Sequence, residues 1–169
     1  MKKAPEIKEI IAGIYAISGA FGLNRYAYTN ATGDTPQSEW NVYVDPQAAD
    51  IVYNSGVKLV ALGLDVATHF DVNLTDEDIR MLEESDKPEA KFFLQAVHFV
   101  NERGFEAYCA VIDCMAVGYA IDATLVNTIS GHVGIETKSD LTLGMTVLDR
   151  RHHFVRESLP VVEIGESAD

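Results

Sequence analysis

Apolar positions change their spacing along this chain, and the changes mark its elements. From Pro5 to Ala12 they fall at Ile7, Ile10 and Ile11, the spacing of a short amphipathic helix. Gly13 to Ile17 reads as a buried strand that ends at Ser18-Gly19-Ala20-Phe21-Gly22. Leu23 to Asp34 carries Arg25, Tyr26 and Tyr28 and reads as a long loop, either a functional lid or a surface excursion. Thr35 then suits a cap and Pro36 a first helical position, with Ser38 and Glu39 following. Pro46 to Asn54 is a helix with Ala48, Ala49 and Val52 on one face and Gly56 beyond its end. Val57 to Leu64 is too uniformly apolar for a half-exposed strand, and Asp65 closes it. Strand, loop-helix and strand in succession predict a βαβ unit with a parallel sheet.

The second half continues in helical and then alternating patterns. Thr75-Asp76-Glu77-Asp78 opens a helix with three acids in its first turn, and Lys87-Pro88 breaks it. Glu89 to Arg103 is a further helix whose Phe92, Phe93, Ala96, Val97, Phe99 and Val100 form a broad apolar face, with Gly104 ending it. Phe105 to Ile121 holds an apolar helix start, Val111 to Val117, with one acid, Asp113. Ser130 to Thr137 and Thr142 to Leu148 alternate in the manner of antiparallel strands. Arg150-Arg151-His152-His153 reads as a basic, solvated turn, Val161 to Ile164 as a last short strand, and Gly165 to Asp169 as an acidic tail. The expected fold is α/β, one domain over residues 1–169. Its sheet is open, mostly parallel and flanked by helices, with a small antiparallel strand pair near the C-terminus.

Composition narrows the function classes. The 169 residues are 47% hydrophobic and 23% charged, ordinary for a globular chain with a real core. A formal net charge of -13 disfavours nucleic acid and anionic membrane, which both need a basic footprint. No apolar run has the roughly 18 residues of a membrane helix. Met1-Lys2-Lys3 is followed at once by Pro5 and Glu6, unlike a signal peptide, so the expected location is cytoplasmic. Cys109 and Cys114, five residues apart on one expected helix, lie on different faces and suit no bridge.

Two positions carry candidate chemistry. Glu39 and Asn41 place a carboxylate and an amide at the mouth of a Gly-rich loop. That pairing suits a ligand with several hydroxyls, since one group accepts and the other both accepts and donates. The same residues also read as a plain helix start, with Glu39 at the positive end of the dipole. Asp113 among apolar neighbours must be paired or coordinated, because an isolated buried carboxylate is very costly. It is either a helix cap or an oxygen ligand for a hard cation such as calcium. Ser18, at a strand end, is a candidate pocket rim. His69, near another strand end, is a better site candidate than His98 on its helix.

Three blocks carry a resemblance. Asp34-Thr35-Pro36-Gln37-Ser38-Glu39-Trp40-Asn41 through Ala49 resembles the sugar-binding segment of the inosine-uridine nucleoside hydrolases. Gly63-Leu64-Asp65-Val66 resembles that family's Leu-Asp-Val-Thr strand end. Glu136 through Asp149, with Leu141-Thr142-Leu143-Gly144-Met145-Thr146-Val147-Leu148-Asp149, is similar to its late Leu-Thr-Arg-Gly-Met-Thr-Val-Val-Asp segment. The blocks come in the family's order and together are specific.

The resemblance implies hydrolysis of the N-glycosidic bond of purine or pyrimidine ribonucleosides. It implies ribose contacts from Glu39, Asn41 and a loop residue, matched by Asp34 or by Asn30, with Ile17 where the family has Met. It also implies Ca²⁺ on Asp113. Ile112 stands where many members have a His that assists departure of the base. The family's N-terminal Asp-rich cluster, which supplies most calcium ligands and the water-activating base, has no counterpart here, so no catalytic residue is assigned. The expected protein is therefore a hydrolase chain that is incomplete or partner-dependent, or a non-catalytic nucleoside- or sugar-binding or oligomerising descendant. Its expected partners are a ribonucleoside or ribose, and further copies of itself or a chain carrying the N-terminal half.

Overall fold

Five strands form one sheet in this computed structural model, which describes residues 1–29, 31–69, 72–105, 111–151 and 159–168. A 3₁₀ turn, Pro5–Glu9, leads into β1 (Ile14–Ile17). Then come α1 (Tyr26–Thr29), α2 (Trp40–Val44), α3 (Pro46–Tyr53), β2 (Leu59–Leu62) and α4 (Leu64–Ala67). The rest is α5 (Asp76–Glu84), α6 (Pro88–Glu102), α7 (Ile112–Ile121), β3 (Val126–Ile135), β4 (Thr146–Asp149) and β5 (Val162–Ala168). The strand order is β1-β2-β5-β3-β4. β1, β2 and β5 run parallel, with Ile14 opposite Leu59 and Val60 opposite Glu163. β3 lies antiparallel to β5, and β4 antiparallel to β3 with His132 opposite Asp149. This is the α/β sheet the spacing predicts, with the antiparallel pair at its far side.

The two sheet faces are covered unequally. On one, Val52 and Tyr53 of α3 pack with Ile14, Ala16, Leu59, Ala61 and Ile164. On the other, Met115, Ala116 and Tyr119 of α7 pack with Tyr15, Ile17, Val60 and Leu62, and Val66 of α4 joins them. Helix starts follow local chemistry. The Asp45 carboxylate accepts from Ala48 N at 2.9 Å ahead of α3, and Thr75 and Asp78 form a reciprocal capping box ahead of α5.

Several elements depart from the pattern-based expectation. The first helix is only the 3₁₀ turn, which buries none of its residues, and Ile10 is exposed because no described element packs on it. The loop from Leu23 contains α1, and α2 begins at Trp40 with Glu39 as its cap, five residues after Thr35. β2 is shorter than Val57–Leu64 because Gly63 turns the chain into α4. The expected acidic tail continues β5, since Ala168 pairs with Val126. The broad face of α6 buries Val97 alone, while Phe92 is 75% exposed and Phe99 exposed. This helix packs chiefly on α5, which is itself solvated. Cys114 is free and exposed, whereas Cys109, His152 and His153 lie outside the described residues.

Burial fixes what substitution should cost. Ile164→Ala, in the fully buried centre of β5, should lose about 2–5 kcal/mol in urea unfolding. Phe92→Ser should stay within about 0.5 kcal/mol despite removing a larger side chain.

Candidate functional site

The chain leaving β1 must turn sharply beneath two other strand ends. Gly19 takes φ +93°, and a Cβ there would come within 2.7 Å of the Phe21 ring. Its carbonyl accepts from Leu64 N at 2.9 Å, and a Cβ on Gly63 would stand 2.8 Å from that oxygen. Both positions therefore need glycine. A turn this tight, buried from Ser18 to Phe21, leaves backbone groups that the sheet ladder does not reach.

Side chains from distant segments take up those groups one by one. Glu39 Oε2 accepts from Gly19 N at 3.1 Å. The Thr146 hydroxyl accepts from Ala20 N at 3.0 Å and donates to the Ala20 carbonyl at 2.8 Å. Asp65 accepts from Phe21 N at 2.7 Å and Leu23 N at 2.6 Å, and its own carbonyl takes a bond from the Asn24 amide. The Tyr53 hydroxyl donates to Ser18 Oγ at 3.0 Å. Glu39, Asp65 and Thr146 come from the three blocks singled out in the sequence, and all three converge on residues 19–23.

Glu39 is thus both a cap and a clamp. Its carboxylate also accepts from Asn41 N at 2.7 Å and Val42 N at 3.2 Å, and the residue is only 3% exposed. Burial pushes its pKa up; the Asn41, Gly19 and Val42 amides pull against that shift, and the nearby Asp113 carboxylate adds to it. Asp65, 0% exposed, is likewise raised by burial and opposed by the Phe21 and Leu23 amides. Burial also raises the Tyr53 hydroxyl, with Glu39 adding to the shift. Backbone amide dipoles offset the burial of both acids.

The other expected residues surround this clamp. Asn41 is exposed, and its amide nitrogen donates to the Ile17 carbonyl at 3.0 Å, at the C-terminal end of β1. Ile17 is half-buried there. Asp34 is exposed and takes a hydrogen bond from the Tyr43 hydroxyl, whose pKa is raised by desolvation first and Asp34 second. Thr35 and Ser38 tie this loop to the late segment, through the Thr35 hydroxyl on the Leu143 carbonyl at 3.0 Å and a bridge between Ser38 and Met145. Asn30 lies outside the described residues. His69 is half-buried beyond α4.

Asp113 corrects one expectation. It sits exposed in the first turn of α7 and is not buried among its apolar neighbours. The stretch is apolar because Met115, Ala116 and Tyr119 of α7 pack against β1, while the acid lies at the exposed start of the helix, near enough for its charge to act on Glu39. A buried, partnered acid does exist, but it is Asp65. Its signal was an acid ending a wholly apolar strand, a place where solvent cannot reach. Thr146 was marked by strand alternation and by its place in the late family-like block, with no chemistry assigned to it. Ile112 lines an apolar groove with Ala67, Val72 and Met115 and offers no proton donor. No group of three or more His, Cys, Asp or Glu able to hold a metal exists among the described residues. One exposed carboxylate does not fit calcium, which takes about six to eight oxygen ligands.

Comparison with known proteins covers the whole chain. The family described as inosine-uridine preferring nucleoside hydrolase matches residues 1–169. A pyrimidine-specific ribonucleoside hydrolase RihA from Shewanella sp. (strain MR-7) is 36% identical over 151 residues, covering 86% of this chain and 44% of that protein. The one from Photobacterium profundum is 39% identical over 122 residues, covering 69% and 38%. The chain therefore spans less than half the length of these relatives. Among solved structures, a purine-preferring ribonucleoside hydrolase from Gardnerella vaginalis superposes with a TM-score of 0.74 at 26% identity, covering 99% of this chain and 51% of the other.

Two outcomes test the clamp. Asp65→Ala leaves the Phe21 and Leu23 amides without acceptors and should cost about 2–4 kcal/mol in urea unfolding. For Glu39 the folded pKa exceeds the unfolded one, so its contribution is full below the unfolded value of 4.5 and is lost as pH rises through the folded pKa. The stability of the native chain relative to Glu39→Gln should therefore fall as pH is raised from about 4 and level off above the folded pKa. Denaturation midpoints across that range measure it.

Proposed function

This chain belongs to the inosine-uridine preferring nucleoside hydrolase family, and on that premise we propose that it forms the ribose-binding part of a site that cleaves the N-glycosidic bond of purine or pyrimidine ribonucleosides. The observation that supports this reading most is the convergence at the C-terminal end of β1. Asn41 sits on the Ile17 carbonyl there, and Glu39 and Asp113, 74 positions apart in the chain, are close enough to influence one another. Open α/β sheets gather ligands beyond strand ends of this kind.

In this reading each residue has a limited role. Asn41, exposed and amphoteric, meets ribose hydroxyls together with Asp34, and Ile17 lies against the sugar. Glu39 holds Gly19 and the start of α2 in place, and its buried negative charge favours positive charge developing on a ribosyl group outside it. The resemblance implies calcium on Asp113, but this exposed carboxylate alone does not fit that ion. Since this carboxylate alone falls short of that ion's ligand number, no step is assigned to the metal, and no residue of the chain is assigned as the water-activating base or the leaving-group acid. The chain acts in the cytoplasm and as an assembly, with copies of itself or with a chain carrying the N-terminal half.

A second reading has its own support. Ile112 offers no proton donor, and three backbone amides already occupy Glu39. Both fit a non-catalytic descendant that keeps sugar or nucleoside binding. Asn41→Ala tests the shared core of the two readings, because Asn41 is exposed and its loss should leave the urea midpoint nearly unchanged. Titration calorimetry with ribose and with inosine, each with and without calcium, should show binding by the native chain and at least tenfold weaker binding by the variant. Absence of binding by the native chain under all four conditions would overturn both readings. Release of ribose from inosine separates them.

A further inference from the structure

α6 carries two apolar stripes, and only one of them is covered. Ala90, Phe93, Leu94, Val97 and Val100 are buried or half-buried on the side that α5 takes. Phe92 and Phe99, seven residues apart, share a different face and stand 75% and 53% exposed. Glu89, Phe92, Ala96, Phe99 and Arg103 follow one another at alternating intervals of three and four residues, the spacing of a coiled-coil seam. Arg103 is held on this seam, its guanidinium carbon 3.8 Å from the centre of the Phe99 ring.

The charges at the two ends of the seam decide what it can meet. Glu89 and Arg103 have opposite sign, and each lies seven residues from Ala96, about 10 Å along the helix axis. Consider two α6 helices paired antiparallel, with Ala96 opposite the second copy's Ala96. Glu89 then comes level with the second copy's Arg103, and Phe92 falls within one residue of the second copy's Phe99. Two-fold symmetry makes each contact twice. A parallel pair would instead set Glu89 on Glu89 and Arg103 on Arg103, which repel. The small side chain of Ala96 at the centre lets the helices approach to the usual spacing of about 8–10 Å. The seam's one acid and one base balance, although the chain as a whole carries -13.

We propose that this face of α6 docks a second copy of the chain. The two α6 helices pair antiparallel, with four phenylalanines in the middle and a Glu89–Arg103 pair at each end. This deepens the reading of the chain as an assembly with copies of itself, and it rests on that reading. No residue of the seam belongs to the turn after β1 or to the proposed sugar contacts. One helix from each copy is small against the roughly 1,200–2,000 Å² of a stable interface, so the dimer is weak and reversible.

Sedimentation of the full chain over a range of concentrations is the test. The native chain should be monomeric at about 1 μM and mostly dimeric at about 500 μM, as suits a weak interface. Glu89→Arg and Arg103→Glu each place like charges opposite one another, and each should weaken self-association about tenfold or more. The double variant restores both pairs and should return to within about threefold of the native chain. An equal mixture of the two single variants should form a heterodimer, although neither variant pairs with itself. Phe92→Asp should abolish the dimer while the monomer's urea midpoint stays nearly unchanged, since the residue is already exposed. A native chain that stays monomeric throughout, single variants that associate as the native chain does, or a double variant as weak as the single ones would overturn the proposal. Dimers indifferent to both charge reversals would leave the assembly reading standing on another surface. Ribose and inosine titrations of Glu89→Arg should match those of the native chain, so the sugar-site reading stands or falls separately.

Discussion

Two buried carboxylates held by backbone amides are the constraint on which this structure depends. Glu39 and Asp65 sit at the ends of different strands and loops, yet both spend their lone pairs on the short turn that follows β1. Leaving a buried donor without a partner costs about 1–3 kcal/mol, so each acid has its largest effect when absent. Thr146 completes the set by bonding both polar groups of Ala20. The turn is over-determined, and glycine at 19 and 63 is what allows three chain segments to approach so closely.

That rigidity has a chemical consequence at the strand end. Groups that would meet a sugar in the proposed reading, Asn41 and Asp34, hang from elements whose backbone is pinned by Glu39, Thr35 and Ser38. Glu39 is better understood as a fixed source of negative potential than as a direct hydrogen-bond partner, since three amides already converge on it. Its burial and the proximity of Asp113 act in the same direction, raising the energy of its charged form. A positive charge placed beyond the strand end would relieve both. In the proposed reading, a ribosyl group losing its base would carry such a charge.

Away from the clamp the fold is open. β1, α7 and α6 each present apolar surface that nothing among the described residues covers, while all of β2 is buried, as are Val162 and Ile164 of β5. The contrast between adjacent strands of the same composition locates the opening at one side of the sheet. The polar site lies at the end of that same open edge.

The two central strand runs, the starts of α3 and α5, and the family were legible from the residues alone. Uniformly apolar runs at 14–17 and 59–62 have only one stable use, and Thr75 with Asp78 or Asp45 with Pro46 are local caps whose geometry needs no distant partner. The three family blocks were legible for the same reason, since each is contiguous. Where each polar group ends up was settled only by the packing of the whole chain. Asp113 looked buried from its neighbours but is exposed in the first turn of α7, and Asp65, which looked like punctuation, is the fully buried acid. α6 carries a helical apolar face of which only Val97 is buried. Burial depends on which segments arrive from elsewhere in the chain. Periodicity reports a side chain's direction relative to its own element, and it is silent about what lies opposite.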